Sequence, residues 1–521
     1  MKYGRSLNTF FFVLFFVCYI WMLNCFSNDT FSNMYLAVVP ALLYAAIGLA
    51  VGFAHRYILK LYICLSIFLA SIAVFFKWRY HVTITEDILL SGLINDTNLT
   101  SEMLSFPLFA WMVLTALVPM ALCMRTRIVK ISLIKTVSLF FILLGLALVL
   151  AWSQGYQERK RGQIRDYRQI QALSSFSPVD LLYAFKKSLK AYRQLQKEYL
   201  DAKKTKGAFG LLNPEDDRLI VLVIGESSRG DHFELNGYHR HTSPKLMSIE
   251  HLYSFSHARS CDTLTIRSMQ YMFSPLQCEE EAHVKQASFV QVLHSLGYRV
   301  ELYSLQTLNA FYYYLGYDKL VSKYAVISKQ PSGTKDISLL SYARDAIASY
   351  HGGKKLIVLH TLGSHQIYSD RVALQYKKFS PVCNSNDPAL CSKEMLLNSY
   401  DNTIIAIDDF VSSIIGMLKN KKAMLVYLSD HGESLGENGM YFHGKPRSIA
   451  PAEQFNIPFV FWFSETYSTT REAKNFQKRI QKKSLDMPIS HDYLYHSILG
   501  CSGVVSKSKS IEKQLNLCSE E

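Results

Sequence analysis

No acidic residue occurs in any of five apolar stretches that fill much of the first 152 positions: 8–26, 35–54, 57–76, 104–123 and 131–152. Three of them lack charge altogether, and the other two carry one lysine each, Lys60 and Lys135. A water-soluble fold does not bury five such runs in succession, whereas each is close to the roughly 20 residues a helix needs to cross a bilayer. Cys-x-x-Cys spacing is also missing, which argues against a cysteine zinc site. No Gly-x-Ser-x-Gly elbow follows the first buried strand, because Gly225-Glu226-Ser227-Ser228-Arg229 breaks that spacing, and this disfavours a serine hydrolase. No nucleic-acid motif accompanies the net charge of +14, so the anionic partner that such a charge favours is an acidic lipid surface rather than a nucleic acid.

What is present orders the chain. Lys2 and Arg5, then Arg56 and Lys60, then Arg125, Arg127 and Lys130 flank the apolar stretches on one side, which the positive-inside rule makes cytoplasmic. An odd number of spans places everything after Trp152 outside. The first span is long and no small-x-small cleavage site follows it, so it reads as a retained anchor. Four cysteines lie in or beside the spans, and Cys261, Cys278, Cys383, Cys391, Cys501 and Cys518 lie in the outer part, an even number in an oxidising compartment. Cys383 and Cys391 bracket a turn-rich loop, Cys501 and Cys518 would staple the C-terminus, and Cys261 and Cys278 pair by elimination.

The expected domains are a five-helix transmembrane domain over 1–152, an amphipathic helical linker over 153–215 and a catalytic domain over 216–521. In the linker, Ser177-Pro178-Val179-Asp180 is a helix start, followed by Leu182, Phe185, Leu189, Tyr192, Leu195 and Tyr199 at spacings of three and four. Lysines and arginines fill the remaining faces, so this helix lies on the lipid surface, packs on the outer domain, or does both. From Leu219 the pattern changes to short continuous apolar runs at 219–224, 356–359, 424–428 and 459–463, separated by helical segments. That alternation predicts an α/β domain with a mostly parallel sheet.

Ligands of such sheets bind beyond the carboxyl ends of the strands. There the chain carries Gly225-Glu226-Ser227, His360-Thr361-Leu362-Gly363-Ser364-His365 and Ser429-Asp430-His431-Gly432-Glu433-Ser434. Glu226, Asp430 and His431 offer two carboxylates and an imidazole, a donor set suited to an open catalytic zinc site. His365 and His443 add imidazoles for proton transfer or a second ion. His232, His239, His241, His251, His257 and His351 have no comparable context and read as surface or loop residues. A cation lowers the pKa of a nearby hydroxyl, and 260–268 supplies Thr263, Thr265 and Ser268 as candidate nucleophiles, among which the pattern does not choose.

Several segments together resemble the phosphoethanolamine transferases of the alkaline phosphatase/sulfatase-like superfamily, which includes the transferable colistin-resistance enzymes. They are Val223-Ile224-Gly225-Glu226-Ser227-Ser228-Arg229, Leu235-Asn236-Gly237-Tyr238, Ser260-Cys261 with its threonines, Asn398-Ser399-Tyr400-Asp401-Asn402-Thr403, and Asp430-His431-Gly432-Glu433-Ser434-Leu435-Gly436-Glu437. The resemblance implies that Thr265, fourth after Cys261, is the nucleophile. It implies that Glu226, Thr265, Asp430 and His431 hold one Zn2+, with room for a second ion, and that His365 and His443 act beside the transferred group. Thr97 and Glu102 fall near the family's substrate-binding loop, at a different spacing. The implied donor is phosphatidylethanolamine and the implied acceptor lipopolysaccharide, the protein working as a monomer in the inner membrane of a Gram-negative cell with its catalytic domain in the periplasm.

Three departures bear on the acceptor. Tyr271 stands where lipid A-modifying members carry a cysteine, 303–312 lacks their Asn-Asn/Gln-Ser-Gly segment, and the pair Cys501 and Cys518 resembles members that modify Kdo. Kdo or inner core is therefore favoured over lipid A phosphate. The competing expectations are a phosphoglycerol transferase acting on a glycan or lipid, a phosphatase or sulfatase, and a membrane scaffold with an inactive enzyme domain.

Overall fold

The computed structural model describes residues 6–26, 37–94, 104–160, 176–202, 209–306, 321–326, 335–506 and 510–520. Thr97 and Glu102 lie outside the described residues. The chain forms two compact units, Met1–Leu89 with Leu104–Leu189, and Leu90–Met103 with Lys190–Glu521.

In the first unit the five apolar stretches form α1 (Thr9–Cys25), α2 (Val38–Ala54), α3 (Arg56–Tyr80), α4 (Phe106–Arg125) and α5 (Leu133–Lys160). Three of these, α3, α4 and the Leu133–Ser153 part of α5, are long and apolar enough to cross a membrane. The expectation of five full spans is thus met only in part, because α1 and α2 are apolar but 17 residues long. At 1.5 Å per residue they reach about 26 Å, short of the ~30 Å hydrocarbon core. Helix α2 stops where His55 takes an extended backbone, with φ −157°. Several hydroxyls inside this unit bond to its own backbone carbonyls, as a low-dielectric setting favours. A π-turn at Val113–Leu117 in α4 turns the Thr115 carbonyl outward, where it accepts from Tyr19 Oη at 2.7 Å and Ser71 Oγ at 3.0 Å.

The linker helix α6 (Val179–Ala202) begins as expected, with Ser177 Oγ donating to Asp180 Oδ2 at 2.6 Å. Its first half exposes Leu182, Phe185 and Leu189. From Lys190 onward it belongs to the second unit, where Leu195 is buried and His283 Nδ1 meets Glu198 Oε1 at 3.1 Å.

The second unit is built on β1 (Arg218–Gly225), β2 (Leu252–Ser254), β3 (Arg299–Ser304), β4 (Val321–Val326), β5 (Lys354–His360), β6 (Ala423–Ser429) and β7 (Phe459–Phe463). Among the described residues these form one seven-stranded sheet in the order β2-β7-β6-β1-β5-β3-β4. Strands β6, β1, β5, β3 and β4 are parallel, while β7 and β2 join antiparallel at one edge, so the sheet is mixed. The unbroken apolar runs follow from burial on both faces. Ile220, Leu222 and Ile224 point into one hydrophobic cluster, and Leu219, Val221 and Val223 into the other. Each such side chain contributes about 1.5–3 kcal/mol by leaving water. Helices α7 (Thr265–Phe273) and α9 (Asp492–Cys501) cover the first face, with Met269, Met272, Ile498 and Leu499 in its cluster. Helix α8 (Lys393–Leu418), capped by Ser392 Oγ on the Met395 amide, covers the second with Ile404, Val411 and Ile414.

Disulfides join Cys261 to Cys278, Cys383 to Cys391 and Cys501 to Cys518. One histidine expected at the surface is buried: His232 is 5% exposed, and its Nδ1 lies 2.7 Å from Asp401 Oδ1 on α8.

Candidate active site

Register brings the site together. Gly225 of β1 lies opposite Ser429 of β6, and Ile224 opposite His360 of β5. The next residues of the three strands therefore leave the sheet along one row, which sets Glu226 beside Asp430. Both are fully buried, as is His431. Close backbone packing seats this row. Gly363, after β5, has φ +49°, and a Cβ there would stand 2.5 Å from the Glu226 carbonyl oxygen and 2.7 Å from its amide nitrogen. Gly363→Ala is therefore expected to push Glu226 out of line and to cost about 1–3 kcal/mol through overpacking, read as a fall in thermal unfolding temperature together with weaker Zn2+ binding by calorimetry. An unchanged Zn2+ affinity would separate this glycine from the site.

Thr265 opens α7, at a helix N-terminus whose free amides and dipole favour negative charge. Its Oγ1 lies 3.2 Å from Glu226 Oε2 and 3.2 Å from His431 Nε2. The other two candidate hydroxyls turn away to backbone carbonyls: Thr263 Oγ1 donates to Lys445 at 2.6 Å and Ser268 Oγ to Asp262 at 3.1 Å. The His431 Nδ1–H donates to the Gly432 carbonyl at 2.9 Å, which leaves Nε2 as the inward-facing nitrogen. That nitrogen is 3.3 Å from Glu226 Oε1 and 3.2 Å from Asp430 Oδ2.

These residues fit a cation. Donors on a tetrahedral shell of ~2.1 Å radius sit about 3.4 Å apart, close to the separations seen here. Asp430 Oδ2 is buried without a hydrogen-bond partner among the described residues. Two buried carboxylates side by side also need a positive charge between them. Burial and the Glu226 carboxylate push the Asp430 carboxyl up to about 8. Burial opposes the charge on His431, but the Asp430 and Glu226 carboxylates outweigh it and raise the imidazole to about 10. Glu226 is disfavoured as an anion by burial, yet His431 holds it well below the usual carboxylate range. Protons thus do in this cluster what a divalent ion would do better.

His443 stands at the rim, its ring centroid 4.0 Å from that of His431, and one of its nitrogens is within 4.8 Å of ligand atoms of Glu226 and His431. It is delivered by a short hairpin, 434–435 paired with 441–442. His365 lies farther out, 6.2 Å from His443 between ring centroids, and burial together with Arg371 pushes it down to about 3. Arg371 Nη2 donates to His365 Nδ1 at 3.3 Å.

Three residues at the site carry no role in the sequence reading. Gln306, just past β3, donates from Nε2 to Glu226 Oε2 at 2.9 Å and to the Thr361 carbonyl at 2.8 Å. Ser227 folds back at φ +55°, its amide on Asp430 Oδ1 at 3.2 Å and its hydroxyl on Glu226 Oε1 at 3.0 Å. Glu433 bonds His443. The position of Gln306 at a strand end was the one available signal for it.

Residues 218–504 match the sulfatase family, and residues 34–192 match the family described as phosphoethanolamine transferase EptA/EptB. A Kdo(2)-lipid A phosphoethanolamine 7''-transferase of Salmonella typhimurium is 34% identical over 310 residues, 58% of this chain. The matched stretch spans about half of that relative, 54% of its length. The solved structure of the integral membrane protein lipooligosaccharide phosphoethanolamine transferase A (EptA) from Neisseria meningitidis superposes with a TM-score of 0.83 at 23% identity, covering 98% of this chain and 99% of that one. The C-terminal periplasmic domain of EcEptC from Escherichia coli, solved in complex with Zn, gives a TM-score of 0.52 at 24% identity over 60% of this chain and 89% of its own. The chain belongs to the sulfatase family.

Proposed function

We propose that the chain transfers phosphoethanolamine from phosphatidylethanolamine to lipopolysaccharide through a phosphorylated Thr265. The observation that carries this reading is the convergence of the Thr265 hydroxyl on Glu226 and His431 at a helix N-terminus. Glu226, Thr265, Asp430 and His431 would hold one Zn2+, which when bound draws charge from the hydroxyl and lets it act as a nucleophile near neutral pH.

Thr265, its proton lost to water, forms a bond from Oγ1 to phosphorus as the bond from phosphorus to the glycerol oxygen breaks. His443 gives that oxygen its proton, and diacylglycerol leaves. In the second half an acceptor oxygen yields its proton to His443 and displaces Thr265 Oγ1 from phosphorus, and Oγ1 takes a proton back from water, so both residues return to their starting state. His365 lines the approach to the same group. A lipid donor explains the anchor: residues 1–152 span the inner membrane, with α1 and α2 completing five crossings, 153–215 link, and 216–521 act in the periplasm as a monomer. Thr97 and Glu102 belong to the donor site in this reading.

The acceptor favoured is Kdo or inner core, supported by the relative that acts on Kdo(2)-lipid A. Mass spectrometry of lipopolysaccharide from cells with and without the protein, fragmented to separate lipid A from core, is expected to show a phosphoethanolamine increment on the core part. An increment on lipid A alone moves the acceptor, and none on either part overturns it. Headgroup exchange with labelled phosphatidylethanolamine against phosphatidylglycerol separates this reading from a phosphoglycerol transferase.

A further inference from the structure

Glu433 is fully buried, yet it belongs neither to the proposed zinc ligands nor to the reacting groups. Its two oxygens are divided between two partners. Oε2 lies 2.7 Å from His443 Nδ1, and Oε1 accepts from Tyr368 Oη at 2.9 Å. Tyr368 is 4% exposed and is held edge-on against the buried ring of Tyr400, with centroids 5.2 Å apart. The backbone fixes both ends of this chain. The Glu433 carbonyl accepts from Arg229 Nη1 at 3.3 Å. His443 follows Phe442, whose φ of +65° is a conformation a phenylalanine rarely holds unless its surroundings impose it.

A buried carboxylate without a cation of its own is costly unless each oxygen is bonded. Tyr368 and His443 supply those bonds, and the carboxylate in return fixes the imidazole. A ring whose Nδ1–H is taken by a carboxylate has one tautomer when neutral, and that tautomer leaves Nε2 as the working nitrogen.

We infer that Glu433, braced by Tyr368, is the positioning residue that holds His443 in the Nδ1–H tautomer and at a fixed ring angle beside the Thr265 site. The inference rests on the phosphoryl-transfer reading for its consequence in catalysis, but not for the tautomer itself. Without Glu433 the imidazole rotates or takes the other tautomer, and Nε2 no longer reaches the oxygen that must gain a proton in the first half-reaction and lose one in the second.

The test uses the full chain in detergent. With 15N-labelled histidine and the His443→Gln protein to assign the signal, the metal-free parent is expected to show His443 as the Nδ1–H tautomer and Glu433→Gln a mixture of the two. The Nε2–H tautomer in the parent, or identical spectra for the two, overturns the inference. In turnover of labelled phosphatidylethanolamine, Glu433→Gln is expected to lower kcat about 100-fold and Tyr368→Phe about 5-fold, with KM within about twofold. Zinc per chain stays at the parent value in both. In a His443→Gln background neither change lowers kcat further, because both act through that ring. A loss that persists there, or a loss of zinc, assigns Glu433 to the metal or the fold instead. Tyr368→Phe keeps the test open should Glu433→Gln fail to fold. A parent that transfers nothing defeats the functional reading, while the tautomer measurement still decides the inference.

Discussion

The Thr265→Ala protein is expected to lose headgroup transfer by about 10⁴-fold or more, to remain folded and to keep its zinc. The hydroxyl has no substitute in place. Thr263 and Ser268 are the nearest alternatives in sequence, but each donates to a backbone carbonyl, and freeing either would break a bond that shapes the loop before α7. The fold should tolerate the change, since Thr265 occupies the first position of α7 and the helix packs through Ile266, Met269 and Met272. Zinc should stay because Glu226, Asp430 and His431 remain, and water fills a fourth position in sites of this kind. Three measurements on the same preparation decide it: labelled diacylglycerol release, zinc per chain and thermal unfolding. Residual transfer above about 1% of the parent rate would remove Thr265 as nucleophile and reopen the choice among the three hydroxyls.

Much of this arrangement was legible before any coordinates. The runs at 219–224, 356–359 and 424–428 are apolar at every position, and a strand buried on both faces needs that pattern. Parallel strands in register then bring their trailing residues together, which is why Glu226, Asp430 and His431 could be paired without knowing the loops. Which hydroxyl faces the carboxylates was not legible from pattern, because three of them lie within six residues and only the backbone path decides it. Gln306, Tyr368 and Glu433 were missed for a related reason. Each is tied to the site by hydrogen bonds to residues ten to eighty positions away, and such bonds leave no periodicity. His232 misled because the partner that buries it, Asp401, is 169 positions distant. Of the five apolar runs, three fall on helices long and apolar enough to cross a membrane, and hydropathy does not see the extended backbone at His55 that ends α2 after 17 residues.

Asp430→Asn should separate metal binding from folding in opposite directions. In the metal-free protein the Asp430 carboxyl titrates near 8 because burial and Glu226 oppose its charge. In an unfolded chain it titrates near its ordinary value of about 4. Between these values the folded state holds a proton that the unfolded state has released, so stability falls as pH rises across that window. His431 adds the same sign from its ordinary value of about 6.5 up to about 10, for its folded value is raised as well. The metal-free parent is therefore expected to lose thermal stability steadily from about pH 5 to pH 9, and added Zn2+ to restore more of it at pH 9 than at pH 6, since the ion displaces those protons. Asparagine has no proton to lose. The Asp430→Asn protein should show a shallower loss with pH and a metal-free unfolding temperature at pH 8 no lower than the parent's. Its affinity for Zn2+ should be about 100-fold weaker or worse, because a neutral amide replaces a carboxylate in the donor set. Calorimetry in two buffers of different ionisation enthalpy supplies the matching count, with fewer protons released per zinc bound at pH 7 in the variant than in the parent. Equal proton release and equal affinity in the two proteins would take Asp430 out of the ligand set and leave the crowding of buried carboxylates around His431 to be neutralised in some other way.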